Sequence, residues 1–348
     1  MLSNLILLLS LLLSSKLYSI PEQTLETQYQ NLLNPFFQNF GVEGTLKTKD
    51  EINLKYKYFI NPNEVGAIVI VSGRSESMFK YDELAFDFYH MGYTVYLFDL
   101  RGQGQSDRLI ENRSLGHVDS FDDYVADLAT YMNKIVLKRN SHKLFAVSHS
   151  MGGNILAQYS VQYPKVFDKI VVSAPLFEMK TGSYPPAFAY AILKMMKIMG
   201  KGEDPVFAKP VDDSNSYVGT HSLVRAKKKD QQRDLFEDEK VNDPTNSWVL
   251  SSLEATWKVQ RNAKDLKTPM LILQAGQDEL VSNRGQDKVC SEAQYCEKVV
   301  FPTAHHEILL EQDAIRNRAI DTIKSFFNHP TPYRTTENRN QNGQSLPL

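Results

Sequence analysis

The string LFAVSHSMGGNILAQYS sets Ser150 between an apolar run and a segment of helical spacing, with Gly152 and Gly153 directly behind it. A hydroxyl is a weak nucleophile, and it attacks a carbonyl only when it is held up at a strand end and served by a base. The turn that presents it closes only if the residues two before and two after it are small. Gly152 meets this on one side; on the other, Ser148 stands where glycine is usual, so G-x-S-x-G becomes S-x-S-x-G. A Ser between small residues is by itself an ordinary loop residue, and its chemistry depends on a base and an orienting acid downstream. After PMLILQ comes AGQDELV, which puts Asp278 just past one strand-like run, and after EKVVF comes PTAHHEILLE, which puts His305 and His306 just past the next. The order Ser, Asp, His is that of a triad assembled at successive strand ends. Spacing alone leaves Asp278 open to a second reading as a turn residue or helix cap, and it does not choose between the two adjacent histidines.

A developing oxyanion needs two backbone N–H donors. Met151, directly after the nucleophile, supplies one, and the loop VSGRSES supplies the other, where Gly73 lets the chain turn and Arg74 presents its N–H. The glycine-rich RGQGQS, residues 101–106, lacks the G-x-G-x-x-G spacing of a dinucleotide site and is read as architecture. Cys290 and Cys296 match no metal motif and have no histidine pair beside them, so no metal site is assigned; they either form a short-range disulfide or stay as free thiols. No metal or organic cofactor is required, because the triad and the backbone donors supply nucleophile, base and charge stabilisation.

Those residues need a scaffold that brings several strand ends together. Residues 43–60 alternate apolar and polar around a Lys-Asp-Glu turn, the pattern of an antiparallel hairpin. Buried-strand runs follow at 66–72, 94–98, 143–147, 169–173, 269–274 and 297–301, and helical spacing appears at 81–90, 121–137, 154–163 and 312–327. Strands alternating with helices call for a mostly parallel central sheet with helices on both faces. Between residues 175 and 266 no strand pattern appears, so 176–266 is read as a helical cap inserted between the two parts of the core, 20–175 and 267–328. Its stretch YPPAFAYAILKMMKIMGKG starts a helix at proline and carries Phe188, Ile192, Met195, Met196 and Met199. That stripe is either internal packing, the lining of an acyl tunnel, or a surface for transient membrane contact.

The 348 residues are 42% apolar, enough for a full core, and a net charge of −2 gives no field that would gather nucleic acid. The apolar run at residues 5–13 is too short to span a bilayer, so residues 1–19 are read as a signal peptide that sends the chain to the envelope or medium. No Lys or Arg precedes that run, which keeps a retained anchor as the alternative. Residues 329–348 are polar without an apolar period and are read as a disordered tail. The sequence leaves the oligomeric state open.

The strings SGRSESMFKYDELAFDFYHMGYTVYLFDLRGQGQSDR, SHSMGGNILAQYS, AGQDELV and AHHEILLEQDAIRNRAIDTIKSFFN span most of the chain between residues 66 and 327. They resemble the serine aminopeptidase-like branch of the α/β-hydrolases, which holds lysophospholipases and monoacylglycerol lipases, and above all its bacterial lysophospholipases. The resemblance implies the α/β-hydrolase fold with a cap between the sixth strand and the Asp-bearing strand. It implies Ser150 as nucleophile, Asp278 as acid, His306 as base, and the N–H groups of Arg74 and Met151 as the oxyanion hole. The chain departs from the pattern at Ser148 and at Ser72, where relatives of the lipase type carry His before Gly73. The implied activity is hydrolysis of one acyl ester of a lysophospholipid or monoacylglycerol through an acyl-enzyme. The alternatives on the same fold are a short-chain carboxylesterase, a peptidase, and a catalytically silent lipid-binding relative.

Overall fold

The computed structural model describes residues 19–139, 141–182, 184–206, 219–234 and 240–330. Of the expected signal segment only Ser19, and of the expected tail only His329 and Pro330, fall within the described residues. The strands are β1 (Val42–Lys47), β2 (Asn53–Phe59), β3 (Gly66–Val71), β4 (Tyr93–Phe98), β5 (Leu144–His149), β6 (Lys169–Ser173), β7 (Met270–Ala275) and β8 (Cys296–Phe301). They make one sheet in the order β1-β2-β4-β3-β5-β6-β7-β8. β2 pairs antiparallel with β1 and β4, and all the remaining pairs are parallel. Every expected strand is present, its ends moved by at most two residues. Among the described residues the helices longer than two turns are α1 (Asp82–His90), α2 (Phe121–Lys134), α3 (Met151–Gln162), α4 (Pro186–Ile198), α5 (Leu223–Asp234), α6 (Asn246–Arg261), α7 (Asn283–Glu292) and α8 (Asp313–Asn328).

The continuous apolar runs are explained by burial of both sheet faces. Along β3, Ala67, Val69 and Val71 enter the core that holds Leu128 of α2, Ile155 of α3 and Val259 of α6. Ile68 and Ile70 point the other way, into a second core with Phe88 of α1 and Ile323 of α8. This period of two is the strand's own geometry. Ser120 caps α2 by accepting the Asp122 N–H at 3.2 Å, and Thr245 caps α6 by accepting that of Trp248 at 3.2 Å. Helix α3 starts at Met151 rather than at 154, because its first turn is fixed by the strand-to-helix elbow before its apolar period begins at Ile155.

The helices described within 176–266 do not form one layer. Helix α4 packs through Leu193 against Leu250 and Leu253 of α6, while Trp248, Ala255 and Val259 of α6 belong to the main core. Helix α5 packs on the 3₁₀ turn Met78–Tyr81 and on an N-terminal helical arm, residues 22–39. Its sequence, LVRAKKKDQQRD, has no apolar face. It is held by charge: the fully buried Arg225 reaches Glu83 at 3.0 Å, Lys228 reaches Asp82 at 2.5 Å, and Arg316 of α8 reaches Asp87 at 2.6 Å in the same cluster. Arg225 also donates to the carbonyl of Ile20 at 3.2 Å, where Ile20, Leu25 and Leu33 of the arm meet Phe86. Cys290 and Cys296 form a disulfide between α7 and β8.

Candidate active site

Ser150 lies between the end of β5 and the start of α3 at φ 51° and ψ −116°, a conformation that non-glycine residues rarely adopt. The strain is held by hydrogen bonds: its N–H donates to Ser173 O at 2.9 Å, and its carbonyl accepts from Leu176 N and Gly153 N, each at 2.9 Å. A Cβ on residue 152 would lie 2.3 Å from the carbonyl oxygen of Val71 and 2.5 Å from that of Ser72, and one on residue 153 would lie 2.6 Å from Pro175 Cβ. Both positions therefore require glycine. Ser148 is buried in β5, and its hydroxyl donates to Val171 O at 3.3 Å, so the departure from glycine places a satisfied group in ordinary strand backbone.

Met151 is the first residue of α3, and first-turn N–H groups have no acceptor within their own helix. Opposite it, the loop after β3 is braced at each step. Gly73 N–H donates to Glu76 Oε2, Ser75 at φ 57° donates to Gln103 Oε1 at 3.1 Å, and Gln103 Nε2 returns bonds to Gly73 O at 2.7 Å and Glu76 O at 2.8 Å. The amide of Arg74 stands between two committed neighbours. Its guanidinium lies 5.1 Å from the Trp248 ring centroid and donates to Asn242 O, tying this loop to α6. Burial lowers the Arg74 pKa to about 10.

His306 Nδ1 meets Asp278 Oδ2 at 2.7 Å, and Asp278 Oδ1 accepts the N–H groups of Leu280 and Val281 at 2.9 and 3.0 Å. Burial alone would raise the Asp278 pKa, but the His306 bond and the two backbone donors outweigh it and hold the carboxyl below its ordinary value. His305 turns away: its ring lies 4.3 Å from that of His221, tilted by 30°, and its Nδ1 lies 3.3 Å from Gln277 O. His149, next to Ser150, contacts the main chain of His306 through Nε2 and His306 O at 3.3 Å, so the elbow and the loop after β8 adjoin.

Four residues that the sequence reading passed over lie at this junction. Glu76 Oε1 accepts from Lys80 Nζ at 2.6 Å and faces His149 Nδ1 at 2.7 Å, and Glu307 Oε2 accepts from Lys80 Nζ at 2.6 Å. Burial alone would raise both carboxyls; the charges of Lys80 and His149 outweigh it, holding Glu76 well below the usual range and Glu307 at about 2. Glu76, His149 and Glu307 are the set of side chains among the described residues whose ligand atoms converge as a metal site would need. The Lys80 ammonium already touches both carboxylates, so the place of a cation is taken. The available signal was a His and a Glu flanking the candidate nucleophile and base in SHSMGG and AHHEIL.

Over residues 62–313 the chain matches the family described as serine aminopeptidase, S33. It is 34% identical over 309 residues to lysophospholipase L2 of Escherichia coli (strain K12), covering 83% of this chain and 88% of that one. It is 32% identical over 306 residues to the probable lysophospholipase L2 of Haemophilus influenzae, covering 85% and 95%. Among solved structures, a soluble variant of monoglyceride lipase from Saccharomyces cerevisiae in complex with a substrate analog superposes with TM-score 0.64 at 17% identity, covering 83% of this chain and 96% of that one.

Proposed function

Given that the chain belongs to the serine aminopeptidase S33 family of α/β-hydrolases, we propose that it cleaves the single acyl ester of a lysophospholipid, or of a monoacylglycerol, through an acyl-enzyme on Ser150. At the coarser level it is a carboxylic-ester hydrolase acting on lipid esters. The observation that carries the finer reading is the 2.7 Å bond of His306 Nδ1 to Asp278, one loop away from the strained elbow of Ser150. In this reading the Ser150 Oγ bonds to the acyl carbon as its proton passes to His306 Nε2, and Asp278 holds the proton on Nδ1. The carbonyl electrons move onto oxygen, which the N–H groups of Met151 and Arg74 receive, each worth about 2.7–4 kcal/mol to the transition state. Collapse breaks the ester C–O bond and the departing glycerol oxygen takes the proton from His306. Water then repeats the sequence on the acyl-enzyme and releases the fatty acid.

The lipid part of the proposal draws on α4. Phe188, Ile192, Met195, Ile198 and Met199 are exposed on the helix and its end, while Leu193 faces inward, and Lys194, Lys197 and Lys201 lie along the same stretch. An apolar stripe with flanking cations suits transient contact with an anionic lipid surface. No helix of the described residues is long and apolar enough to cross a membrane. Export through a segment ending near Ser19 belongs to the same proposal and is supported by the Cys290–Cys296 disulfide, a bond that persists in oxidising compartments. Mass analysis of the protein from envelope and medium checks it: a chain beginning near residue 20 supports cleavage, a full-length membrane-bound chain supports the anchor, and a cytosolic full-length chain removes the proposal.

The deciding experiment compares wild type with Ser150→Ala on lysophosphatidylcholine, monoacylglycerol and short p-nitrophenyl esters. The expected result is a fall in kcat on the lipid substrates on the order of 10⁶-fold. Cleavage confined to short esters would keep the nucleophile and remove the lipid assignment. Activity surviving in the variant would remove the mechanism.

A further inference from the structure

In the cluster of Glu76, Lys80, His149 and Glu307, Lys80 and His149 are buried and the two carboxylates nearly so, and it sits where the loop after β3, the end of β5 and the loop after β8 meet. Each of these carries one part of the reaction proposed above. Glu76 fixes the oxyanion loop through Gly73 N–H and is itself held by the Tyr81 hydroxyl. Glu307 follows His306 directly, and His149 precedes Ser150 directly.

Both ring nitrogens of His149 face oxygen acceptors. Nδ1 lies 2.7 Å from Glu76 Oε1, and Nε2 lies 3.3 Å from His306 O and 3.5 Å from Glu307 Oε2. A neutral imidazole has one N–H and would aim a lone pair at oxygen on one side; an imidazolium donates on both. Charge agrees with the geometry, since the two carboxylates are balanced by Lys80 and a protonated His149. The groups facing this ring are Glu76 from the β3 loop, Lys80 (Nζ 3.5 Å from Nδ1) and Tyr81 from the 3₁₀ turn, and Glu307 and the His306 ring (centroids 4.8 Å apart) from the β8 loop. Lys229 of α5 adds a further positive charge 4.0 Å from the far oxygen of Glu307.

We propose that His149 is a positioning residue that works in its protonated form, cross-linking the oxyanion loop, the nucleophile elbow and the His306 loop, and that loss of its proton sets the alkaline limit of the activity. The inference rests on the Ser150 mechanism above. Burial alone would lower the His149 pKa, but Glu307 and Glu76 outweigh burial and the repulsion of Lys80, so it is raised. Losing that proton removes one of the positive charges that hold Glu76 and Glu307 and turns a lone pair toward the His306 carbonyl. The loops then lose their common tie.

The test measures kcat and KM against pH for wild type, His149→Gln and Glu307→Gln, each verified as folded by circular dichroism, together with nitrogen-15 histidine NMR of the wild type. The expected result is both His149 nitrogens protonated at neutral pH, with the proton lost where kcat declines on the alkaline side. His149→Gln should lower kcat roughly tenfold to a hundredfold with little change in KM, and should lack that alkaline limb. Glu307→Gln, which keeps the shape but removes a counter-charge, should move the limb to lower pH. A neutral His149 in an active wild type, or an unchanged limb in both variants, overturns the inference alone. A wild type that neither cleaves lipid esters nor labels at Ser150 with an organophosphonate removes the hydrolase mechanism and this inference with it. Should His149→Gln fail to fold, the wild-type titration and Glu307→Gln decide the question.

Discussion

Replacing Asp278 by Asn changes almost no shape and, on the structure, forces the wrong tautomer on His306. Oδ1 of Asp278 accepts two backbone N–H groups, from Leu280 at 2.9 Å and Val281 at 3.0 Å. An Asn amide cannot point its NH₂ at two donors, so its carbonyl must take that place and its NH₂ must occupy the position of Oδ2, 2.7 Å from His306 Nδ1. Nδ1 is then obliged to accept, the ring proton moves to Nε2, and the nitrogen that should receive the Ser150 proton already carries one. A Ser-His-Asp triad caught in this state loses about 10⁴ in kcat, or roughly 5.4 kcal/mol of barrier at 1.36 kcal/mol per decade. Because the two backbone bonds persist, the melting temperature should move by only a few degrees. The assay is kcat on lysophosphatidylcholine with circular-dichroism melts of both proteins. An Asp278→Asn variant that melts cooperatively and keeps kcat within about tenfold of wild type would refute the reasoning.

Gly152→Ala puts a Cβ 2.3 Å from the Val71 carbonyl, where only backbone could yield. The cost should be on the order of 3 kcal/mol or more, read as a lower melting temperature and lost Ser150 labelling. Reducing the Cys290–Cys296 bond opens a short loop and should cost about 2 kcal/mol, visible in melts with and without reductant. Acid should destabilise the fold through Glu307, whose folded pKa of about 2 lies below its ordinary 4.5. A depressed folded value makes the contribution complete above 4.5 and lost as pH falls toward 2, with Glu76 acting in the same direction. Melts across this range should fall steeply for wild type and less steeply for Glu307→Gln; parallel curves would remove Glu307 as the cause.

The sheet was legible because its strands are buried on both faces and read as unbroken apolar runs, such as GAIVIV in β3. The elbow was legible from Gly152, whose smallness the carbonyl oxygens of Val71 and Ser72 require. The choice between His305 and His306 could not be made from the residues themselves, because it depends on which ring reaches Asp278, a contact across 28 residues. The N-terminal helical arm was not expected, and α5, although inside the expected helical cap, gave no sign of its burial. A segment like AKKKDQQ reads as a solvated face, and its burial depends on acids of α1 that lie more than 140 residues away in the chain. The same blindness applies to Glu76, Lys80 and Glu307, since a charge becomes structural only when the topology delivers its counter-charge.

The bond between Arg225 and the Ile20 carbonyl spans 205 residues, and those to Glu83 and Asp313 span 142 and 88. Contacts of such separation form only after most of the chain exists and the intervening loops have closed, which makes them slow and late. During synthesis the arm at Ile20 leaves the ribosome long before its anchor, and the anchor itself waits for Asp313 on the last helix. Until then Asp87 lacks its partner Arg316, while Glu83 and Asp82 already have Arg225 and Lys228 of α5 to meet. The clasp therefore draws on three separated stretches of the chain, and a chain truncated before α8 would keep Arg225 and Lys228 against Glu83 and Asp82 but lack Asp313 and the Arg316 partner of Asp87.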